Sequence, residues 1–405
     1  LNRKTSRPGR PGINPKKEVS KAKFARKRAT TAQYARDTSG EVTLMDLVAS
    51  IDRDTPGMDE IARRLSGLKV RHHEFASAKP IAKRQRDPVL NSDAFYLLPT
   101  QLLNRCIKAL GVSNRVNEAI NLASDALDDD VLRNAPSKWV EVVNIRDLGL
   151  YSREQIETMQ RLKKLKETVE TGKDMCKWLA TDVAAAADDE SRKSVNEVEV
   201  HLRNQYPARI VPGLGNRAEY CFSMLYRVQP PTYLNDAIIN AACQRLCDQY
   251  PRVRYAGTPD AKPGSARTNH QRVLKTMEDR VKAFVDQGDD DIAVIPVNFG
   301  NPHWVGIIVD VIKKQVLFYD SLNHEHYVTT LKKLSCLHAY SVVQEMVPIQ
   351  FDSFSCGVFV VFFFFNHVSA EKKILDKNSL TIRRWELLHY VLLGHARDKI
   401  DEIML

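Results

Sequence analysis

Residues 350–357, Gln-Phe-Asp-Ser-Phe-Ser-Cys-Gly, run directly into an apolar stretch, VFVVFFFF, at 358–365. The apolar stretch is hydrophobic on every side, which predicts a helix buried in a core. It is much shorter than the roughly 18–20 residues that cross a bilayer. Cys356 stands where this helix begins, and the helix macrodipole favours a thiolate there. Gly357 leaves the backbone open to a substrate carbonyl. The sequence therefore predicts a candidate nucleophile at the N-terminus of a core helix.

Strand-like runs precede this helix, and further helical patterns surround them. The succession of strands with helices before and after predicts an α+β domain. The predicted strands are Ile292–Val297, Val305–Val311, Val316–Tyr319 and Ser341–Ile349, and the predicted helices are Asp236–Gln249, Ala266–Val285, Cys356–Val368 and Leu380–Gly394.

A base and an orienting carboxylate are offered by two of these strands. His303 comes just before one strand and Asp320 ends the next, with the short turn Lys313-Lys314 between them. Two neighbouring antiparallel strands bring the start of one beside the end of the other, so we expect the two side chains to meet. Gln350 ends the strand before Cys356, and its amide can donate to an oxyanion together with the backbone N–H of Cys356. Together these residues predict nucleophilic catalysis by a cysteine.

Five segments in this order resemble the SUMO/sentrin-specific cysteine protease family, relatives of the adenovirus protease. The tract 230–240, PPTYLNDAIIN, is similar to the family's W-L-N-D-x-x-I-N, and Ile295-Pro296-Val297-Asn298 with His303-Trp304 is similar to I-P-[IV]-N…H-W. The tract 318–322, FYDSL, resembles Y-x-D-S-L, and Gln350…Cys356-Gly357 matches Q-x5-C-G. The tract 381–385, TIRRW, is similar to the helix that closes the family's domain. The resemblance covers residues 215–400.

The resemblance implies a papain-like α+β fold with a central mixed sheet and a core helix that bears the nucleophile. It implies that Cys356 is the nucleophile, His303 the general base and acid, Asp320 the group that orients His303, and Gln350 part of the oxyanion hole. It implies no metal and no cofactor.

The family's substrate contacts map onto three further residues. Trp304 and Tyr233 are expected to enclose a narrow tunnel for the Gly-Gly end of a ubiquitin-like protein. Asp236 matches a position that engages a basic residue of the modifier, and it is equally well interpreted as a helix N-terminal acid. Tyr233 stands where the family usually has Trp, and Ser355 stands where Asp is common before the nucleophile.

The predicted function is a cysteine peptidase or isopeptidase that cleaves after Gly-Gly of a SUMO-like or other ubiquitin-like modifier. Two alternatives stay open. One is a protease of a mobile element or pathogen that acts on a non-SUMO protein, because such domains occur there as well. The other is a non-catalytic protein that uses the same scaffold to bind a modifier or nucleic acid.

The net charge of +10 resides in the first forty residues, which hold twelve basic and two acidic side chains. The rest of the chain carries as many acidic as basic side chains. We therefore expect a disordered basic arm over 1–40, a mainly helical region of open role over 41–205 with a linker near 71–92, and the protease domain over 206–405. Helical spacing within the middle region is seen at Val42–Val48, Leu102–Leu110, Val116–Leu127 and Ile156–Val169.

The basic clusters of the arm, Lys16-Lys17 and Arg26-Lys27-Arg28, resemble a two-part nuclear import signal. Binding of nucleic acid through phosphate contacts and a solvated tail are the competing interpretations. A second cluster, Lys83-Arg84-Gln85-Arg86, adds to the import interpretation. The seven cysteines form no CxxC pair and favour a reducing compartment, either nucleus or cytoplasm. No membrane association is expected.

Overall fold

The computed structural model describes part of the 405-residue chain. The described residues are 43–54, 79–91, 98–111, 139–146, 148–214, 219–255, 257, parts of 275–284, 292–298, 303–332 and 339–394. The predicted basic arm 1–40 and the predicted helix 116–127 lie outside the described residues, as does most of the predicted helix 266–285.

A three-stranded antiparallel sheet forms the first part of the described chain, in the order β1 Ile81–Arg86, β2 Trp139–Ile145 and β3 Gly149–Ser152. Helix α1 is Leu44–Asp54, and helix α2, Thr100–Ala109, covers the sheet with Leu102, Leu103 and Ile107. The helices at 42–48 and 102–110 are thus confirmed. The linker near 71–92 is wrong over 81–86, because this charged segment pairs along its whole length with β2. Most described residues of the region 41–205 are nevertheless helical.

A long helical run follows the small sheet. It begins with helix α3, Arg153–Trp178, whose first turn is closed by a reciprocal capping box between Ser152 and Gln155. A π-helical turn, Leu179–Val183, and helix α4, Ala184–Ala186, continue it. Helix α5 is Asp189–Arg203, and the side chain of Asp188 caps it by accepting from the backbone N–H of Ser191.

The helical run and the C-terminal half share one hydrophobic core. Short helix α6 (Phe222–Leu225) and a 3-10 turn (Tyr226–Val228) lead to helix α7, Asp236–Gln249. Buried side chains of α3 and α5, such as Leu165 and Val195, belong to the same cluster as Ile239 of α7. The middle region is therefore packed onto the C-terminal half.

The C-terminal half is built on a five-stranded mixed sheet in sequential order. Its strands are β4 Val253–Tyr255, β5 Ile292–Asn298, β6 Trp304–Asp310, β7 Gln315–Tyr319 and β8 Ser341–Glu345. The inner pairs β5/β6 and β6/β7 are antiparallel, whereas the outer pairs β4/β5 and β7/β8 are parallel. The four predicted strands are confirmed, except that β8 ends at Glu345. The ladder ends there because the partner strand β7 ends at Tyr319, which is opposite Glu345.

The two faces of this sheet are covered differently. Helix α8, Glu325–Leu331, follows β7 and contributes Tyr327 to one face. The apolar helix α9, Cys356–Val368, packs across β6 on the other face, and helix α10, Leu380–Leu393, ends at Gly394 in the left-handed conformation. The helices predicted at 236–249, 356–368 and 380–394 are thus confirmed. None of the helices within the described ranges has the length and apolar character that a membrane crossing needs.

Gly306 in the middle of β6 allows α9 to approach the sheet closely. A Cβ atom at this position would lie 3.0 Å from Cδ1 of Phe363 and 3.1 Å from Cε1 of Phe364. We expect Gly306→Val to lower the free energy of unfolding by about 1–3 kcal/mol, because an overpacked core forces helix and sheet apart. Gly306→Ala should lower the free energy of unfolding by less than Gly306→Val does. Urea unfolding measures both, and a Val variant as stable as wild type would contradict the close approach.

Candidate active site

The β6/β7 hairpin brings a histidine and an aspartate together at one edge of the sheet. Gly306 of β6 is opposite Tyr319 of β7, so the residue before β6 and the residue after β7 are neighbours. His303 Nε2 lies 2.7 Å from Asp320 Oδ1. The juxtaposition predicted from the hairpin is confirmed by this distance.

The carboxylate of Asp320 is fully buried and accepts four hydrogen bonds. Oδ1 accepts from His303 and from the backbone N–H of Leu322 at 2.9 Å. Oδ2 accepts from the backbone N–H and from Nδ1 of His324, both at 2.9 Å. Burial by itself raises the pKa of Asp320, but these hydrogen bonds outweigh burial and lower the pKa to about 2. Asp320 is therefore an ionised acceptor at neutral pH, and Nε2 of His303 carries the proton between them.

Cys356 is the first residue of α9 and is buried beside His303. Its side chain hydrogen-bonds to the imidazole of His303. Because Nε2 is engaged by Asp320, Nδ1 is the nitrogen left for the sulfur. Burial by itself lowers the pKa of His303, but Asp320 and Cys356 outweigh burial through hydrogen bonds and charge, and they raise the pKa to about 9. The thiol, imidazole and carboxylate thus form one hydrogen-bonded line.

Gly357 has a packing role that differs from the one expected from the sequence. A Cβ atom there would lie 3.1 Å from Cδ1 of Ile239 and 3.1 Å from Cβ of Leu234. The glycine therefore lets α9 pack against α7 and the residues that precede it. The open face that the sequence predicted for a substrate carbonyl is occupied by these side chains.

The loop before Cys356 is held by a carboxylate, a hydroxyl and a buried arginine. Asp352 accepts from the backbone N–H groups of Phe354 and Ser355 at 3.0 and 2.8 Å and from Oγ of Ser355 at 2.6 Å. Ser355 Oγ in turn accepts from Nη2 of Arg384 at 2.9 Å. The negative charge thus lies three residues before Ser355, and the hydroxyl links it to Arg384.

Gln350 lies next to this loop, but its amide is already engaged. Nε2 donates to the carbonyl oxygen of Asp352 at 2.6 Å and approaches Asp352 Oδ1 at 3.2 Å, and Oε1 accepts from Ser321 Oγ at 2.8 Å. A substrate oxyanion would compete with Asp352 for the same N–H groups. The oxyanion role of Gln350 stays a prediction.

The three candidate substrate contacts lie at the beginning of α7 and of β6. Trp304 is buried, and its Nε1 donates to the carbonyl oxygen of Leu234 at 3.3 Å, which places it against the neighbour of Tyr233. Tyr233 is partly exposed at 36%. Asp236 is exposed in the first turn of α7, where Asn235 is the capping residue. This position suits both interpretations of Asp236, and the substrate roles stay predictions.

His303, Asp320 and His324 also offer metal-binding atoms that lie within 4.8 Å of one another. However, the spacings of 2.7 and 2.9 Å to the carboxylate are hydrogen-bond distances. Two ligands about 2.0 Å from a tetrahedral ion lie roughly 3.3 Å apart. The distances within this group therefore fit two histidines that hydrogen-bond to one carboxylate better than three ligands of one metal ion.

Three polar residues of the site were not singled out from the sequence, namely His324, Ser321 and Asp352, and Arg384 was quoted without a role. The Asx-type turn at 352–355 carries a local signal in its Asp-Ser-Phe-Ser order. His324 contacts Asp320 only four residues away, but its sequence neighbourhood shows no motif for this contact. Ser321 and Arg384 act through contacts that span 29 residues, which no local pattern displays.

The four candidate catalytic residues, Cys356, His303, Asp320 and Gln350, lie within a segment that matches a family model. Residues 258–384 match the model of the Ulp1 protease family, C-terminal catalytic domain. This segment of the C-terminal half is thus similar to the catalytic domain of that family. Members of this family are cysteine peptidases, which makes the chain a cysteine-type peptidase. The mixed sheet with its cysteine-bearing helix agrees with the predicted papain-like α+β fold. A comparison with curated proteins found no match.

Several solved structures are similar to part of the chain. Ulp1 in complex with Smt3, the yeast orthologue of SUMO, is 20% identical, with 43% of this chain and 83% of that chain covered and a TM-score of 0.33. The Ulp1-like SUMO protease domain of Chaetomium thermophilum is 17% identical, with 51% and 90% covered and a TM-score of 0.37. The Xanthomonas campestris effector XopD bound to ubiquitin is 16% identical, with 39% and 92% covered and a TM-score of 0.27.

The raised pKa of His303 predicts the alkaline limit of the Ulp1-type peptidase. Its folded pKa of about 9 exceeds the ordinary value of 6.5, so the protonated imidazole stabilises the fold fully below pH 6.5. This contribution is lost as the pH rises through 9, and so is the general acid that the family resemblance predicts for His303. We expect kcat/KM to fall above about pH 9. Circular dichroism over the same pH range controls for unfolding. Activity that is undiminished at about pH 10.5 would contradict the raised pKa of His303.

Proposed function

We propose that this chain is a peptidase or isopeptidase that cleaves after the Gly-Gly end of a SUMO-like modifier. The observation that carries the proposal is the hydrogen-bonded line from Asp320 through His303 to Cys356. The similarity to the Ulp1 family and the motif resemblance support the choice of modifier.

The proposed reaction proceeds in two balanced steps. The thiolate of Cys356 attacks the carbonyl carbon of the terminal glycine, and protonated His303 donates its Nδ1 proton to the leaving amine as the C–N bond breaks. This step leaves a thioester on Cys356. Neutral His303 then takes a proton from water, the resulting hydroxide attacks the thioester, and the C–S bond breaks to restore the thiolate. The released glycine carboxylic acid gives its proton to solvent and leaves as the carboxylate. Asp320 keeps Nε2 protonated throughout.

Charge on the carbonyl oxygen needs donors near the sulfur. The backbone N–H of Cys356 lies at the N-terminus of α9, where the helix dipole favours negative charge. We propose that Gln350 joins it when substrate displaces the amide from Asp352. Tyr233 and Trp304 are proposed to line the path of the glycines, and Asp236 is proposed to engage a basic residue of the modifier.

The experiment is covalent labelling with a panel of ubiquitin-like proteins that carry C-terminal electrophiles. We expect one SUMO-like probe to label wild type and not Cys356→Ala, with Cys221→Ala as a partly exposed cysteine control that labels normally. If no modifier labels but iodoacetamide modifies Cys356 faster than the other cysteines, the substrate is a different protein. If Cys356 reacts no faster than the others, the chain is a binding protein.

The basic arm is proposed to direct the protein to the nucleus, with nucleic acid as the competing partner. The second basic cluster, 83–86, is part of strand β1, where Lys83 pairs with Val142 and Arg84 with Glu141. We therefore assign the proposed import signal to the arm alone. We expect a fluorescent fusion with all five basic residues of the two arm clusters changed to Ala to shift to the cytoplasm. Unchanged nuclear signal, together with salt-sensitive binding to DNA, would favour the nucleic-acid interpretation.

A further inference from the structure

A second histidine shares the carboxylate that orients His303. His324 lies between β7 and α8, four residues after Asp320, and donates to Asp320 Oδ2 from both its backbone N–H and its Nδ1 at 2.9 Å. His303 occupies the other oxygen at 2.7 Å. Two imidazoles therefore donate to one carboxylate, one on each oxygen.

The two histidines face different surroundings. The side chain of His303 is 13% exposed, whereas that of His324 is 41% exposed. Their ring centroids are 5.3 Å apart in an edge-to-face arrangement. Buried Tyr327 stacks on His303 at 6.3 Å and meets His324 edge-on at 5.6 Å. His324 thus closes the solvent side of the Asp320–His303 pair.

The hydrogen-bond inventory determines which atoms carry protons. An ionised carboxylate only accepts, so Nδ1 of His324 must be protonated, as must Nε2 of His303. Without the side chain of His324, Oδ2 would keep the backbone N–H as its contact from this residue. The carboxylate would then keep three of its four hydrogen bonds, from His303, Leu322 and the backbone N–H of His324. It would be held less firmly against rotation about its Cβ–Cγ bond, and the alignment of Oδ1 with His303 would loosen.

We propose that His324 is a positioning residue that fixes the rotation of Asp320 and thereby the alignment of His303 with Cys356. The proposal rests on the peptidase function above. The requirement is an N–H donor at the place of Nδ1, rather than the charge of an imidazole. Asn offers such a donor, because its Nδ2 is bonded to Cγ as Nδ1 is in His.

The test measures kcat and KM on a SUMO-like substrate and the rate of Cys356 alkylation by iodoacetamide. We expect His324→Ala to lower kcat and the alkylation rate about tenfold while KM stays within twofold, and His324→Asn to restore both to within about threefold of wild type. His324→Gln, whose amide lies one carbon further out, should behave like Ala. It also serves as a second variant if Ala does not fold.

Asn323→Ala is the matched control for the loop itself. The side chain of Asn323 donates to the carbonyl oxygen of Met346 at 3.1 Å instead of to the carboxylate of Asp320. We expect this variant to keep kcat within about threefold of wild type. An equal loss in Asn323→Ala would overturn the proposal, because the effect would then come from loop structure.

The remaining outcomes separate this proposal from the peptidase function. If His324→Ala is folded and its kcat and alkylation rate are unchanged, the role of His324 is overturned while the peptidase function stands. The same holds if His324→Asn is as slow as His324→Ala. If wild type processes no modifier but its alkylation depends on His324 as described, the proposed substrate is wrong and the positioning role is supported.

Discussion

Replacing Asp320 with Asn is expected to lower kcat about 10³-fold while leaving the protein folded. The Asn side chain turns an N–H towards Nε2 of His303, so the imidazole proton moves to Nδ1, where it faces Cys356. The base is then blocked at the nitrogen that the sulfur needs. The pKa of His303 also loses the neighbouring negative charge that holds it near 9. We therefore expect the alkaline limit of the remaining activity to move towards neutral pH.

Asp310→Asn is the matched control for this loss. Asp310 is a buried aspartate at the end of β6, and it accepts from the backbone N–H of Lys313 at 2.8 Å and pairs with its ammonium at 2.9 Å. It lies in the same hairpin as Asp320 but at the turn, away from Cys356. Its kcat should stay within about threefold of wild type. An Asp320→Asn enzyme within tenfold of wild type would show that Asp320 does not select the tautomer of His303.

Replacing Arg384 with Met is expected to lower the free energy of unfolding by about 3–4 kcal/mol. Arg384 is 1% exposed and donates to the carbonyl oxygens of Val228 and Thr232 at 2.5 and 3.3 Å, besides its bond to Ser355. Burial lowers the pKa of Arg384 to about 10, so it stays charged at neutral pH. Met fills much of the volume but leaves these acceptors without a donor.

The substitution of Arg384 should also disturb the active site, because Arg384 joins the segment before Tyr233 to the loop before Cys356. Urea unfolding gives the stability, and Cys356 alkylation reports the loop. Arg383→Met is the control on the same helix. Arg383 pairs with Glu386 and donates to the carbonyl oxygen of Ile374 at 2.9 Å near the surface, and its loss should cost less than about 1 kcal/mol. Equal stability of the two variants would contradict the bridging role.

Helices α7 and α9 illustrate how much of the fold could be predicted from the sequence. Both have the predicted bounds, because Asn235 caps one and an unbroken apolar run makes up the other. Strand β1 illustrates the opposite case. Its sequence, IAKRQR, is charged and mostly exposed, and only its pairing with β2 makes it a strand. Its partners lie 53 to 63 residues further along the chain, so no local periodicity signals the strand.

The sequence by itself determined the order of the elements and the set of reacting side chains in the C-terminal half. Hydrophobic periodicity and motif spacing are local properties, and they placed Cys356 at a helix start and His303 and Asp320 at the ends of a hairpin. Only the tertiary structure decided how these groups are held. Asp320 is shared with His324, Gln350 is engaged by Asp352, and Arg384 reaches Ser355 across 29 residues. The contact of Arg384 with Ser355 depends on the packing of α10 beside α9, because a hydrogen bond needs atoms within about 3 Å and only the folded chain brings these residues together. The contacts of Asp320 with His324 and of Gln350 with Asp352 are short in sequence, and the conformation of each loop decides them.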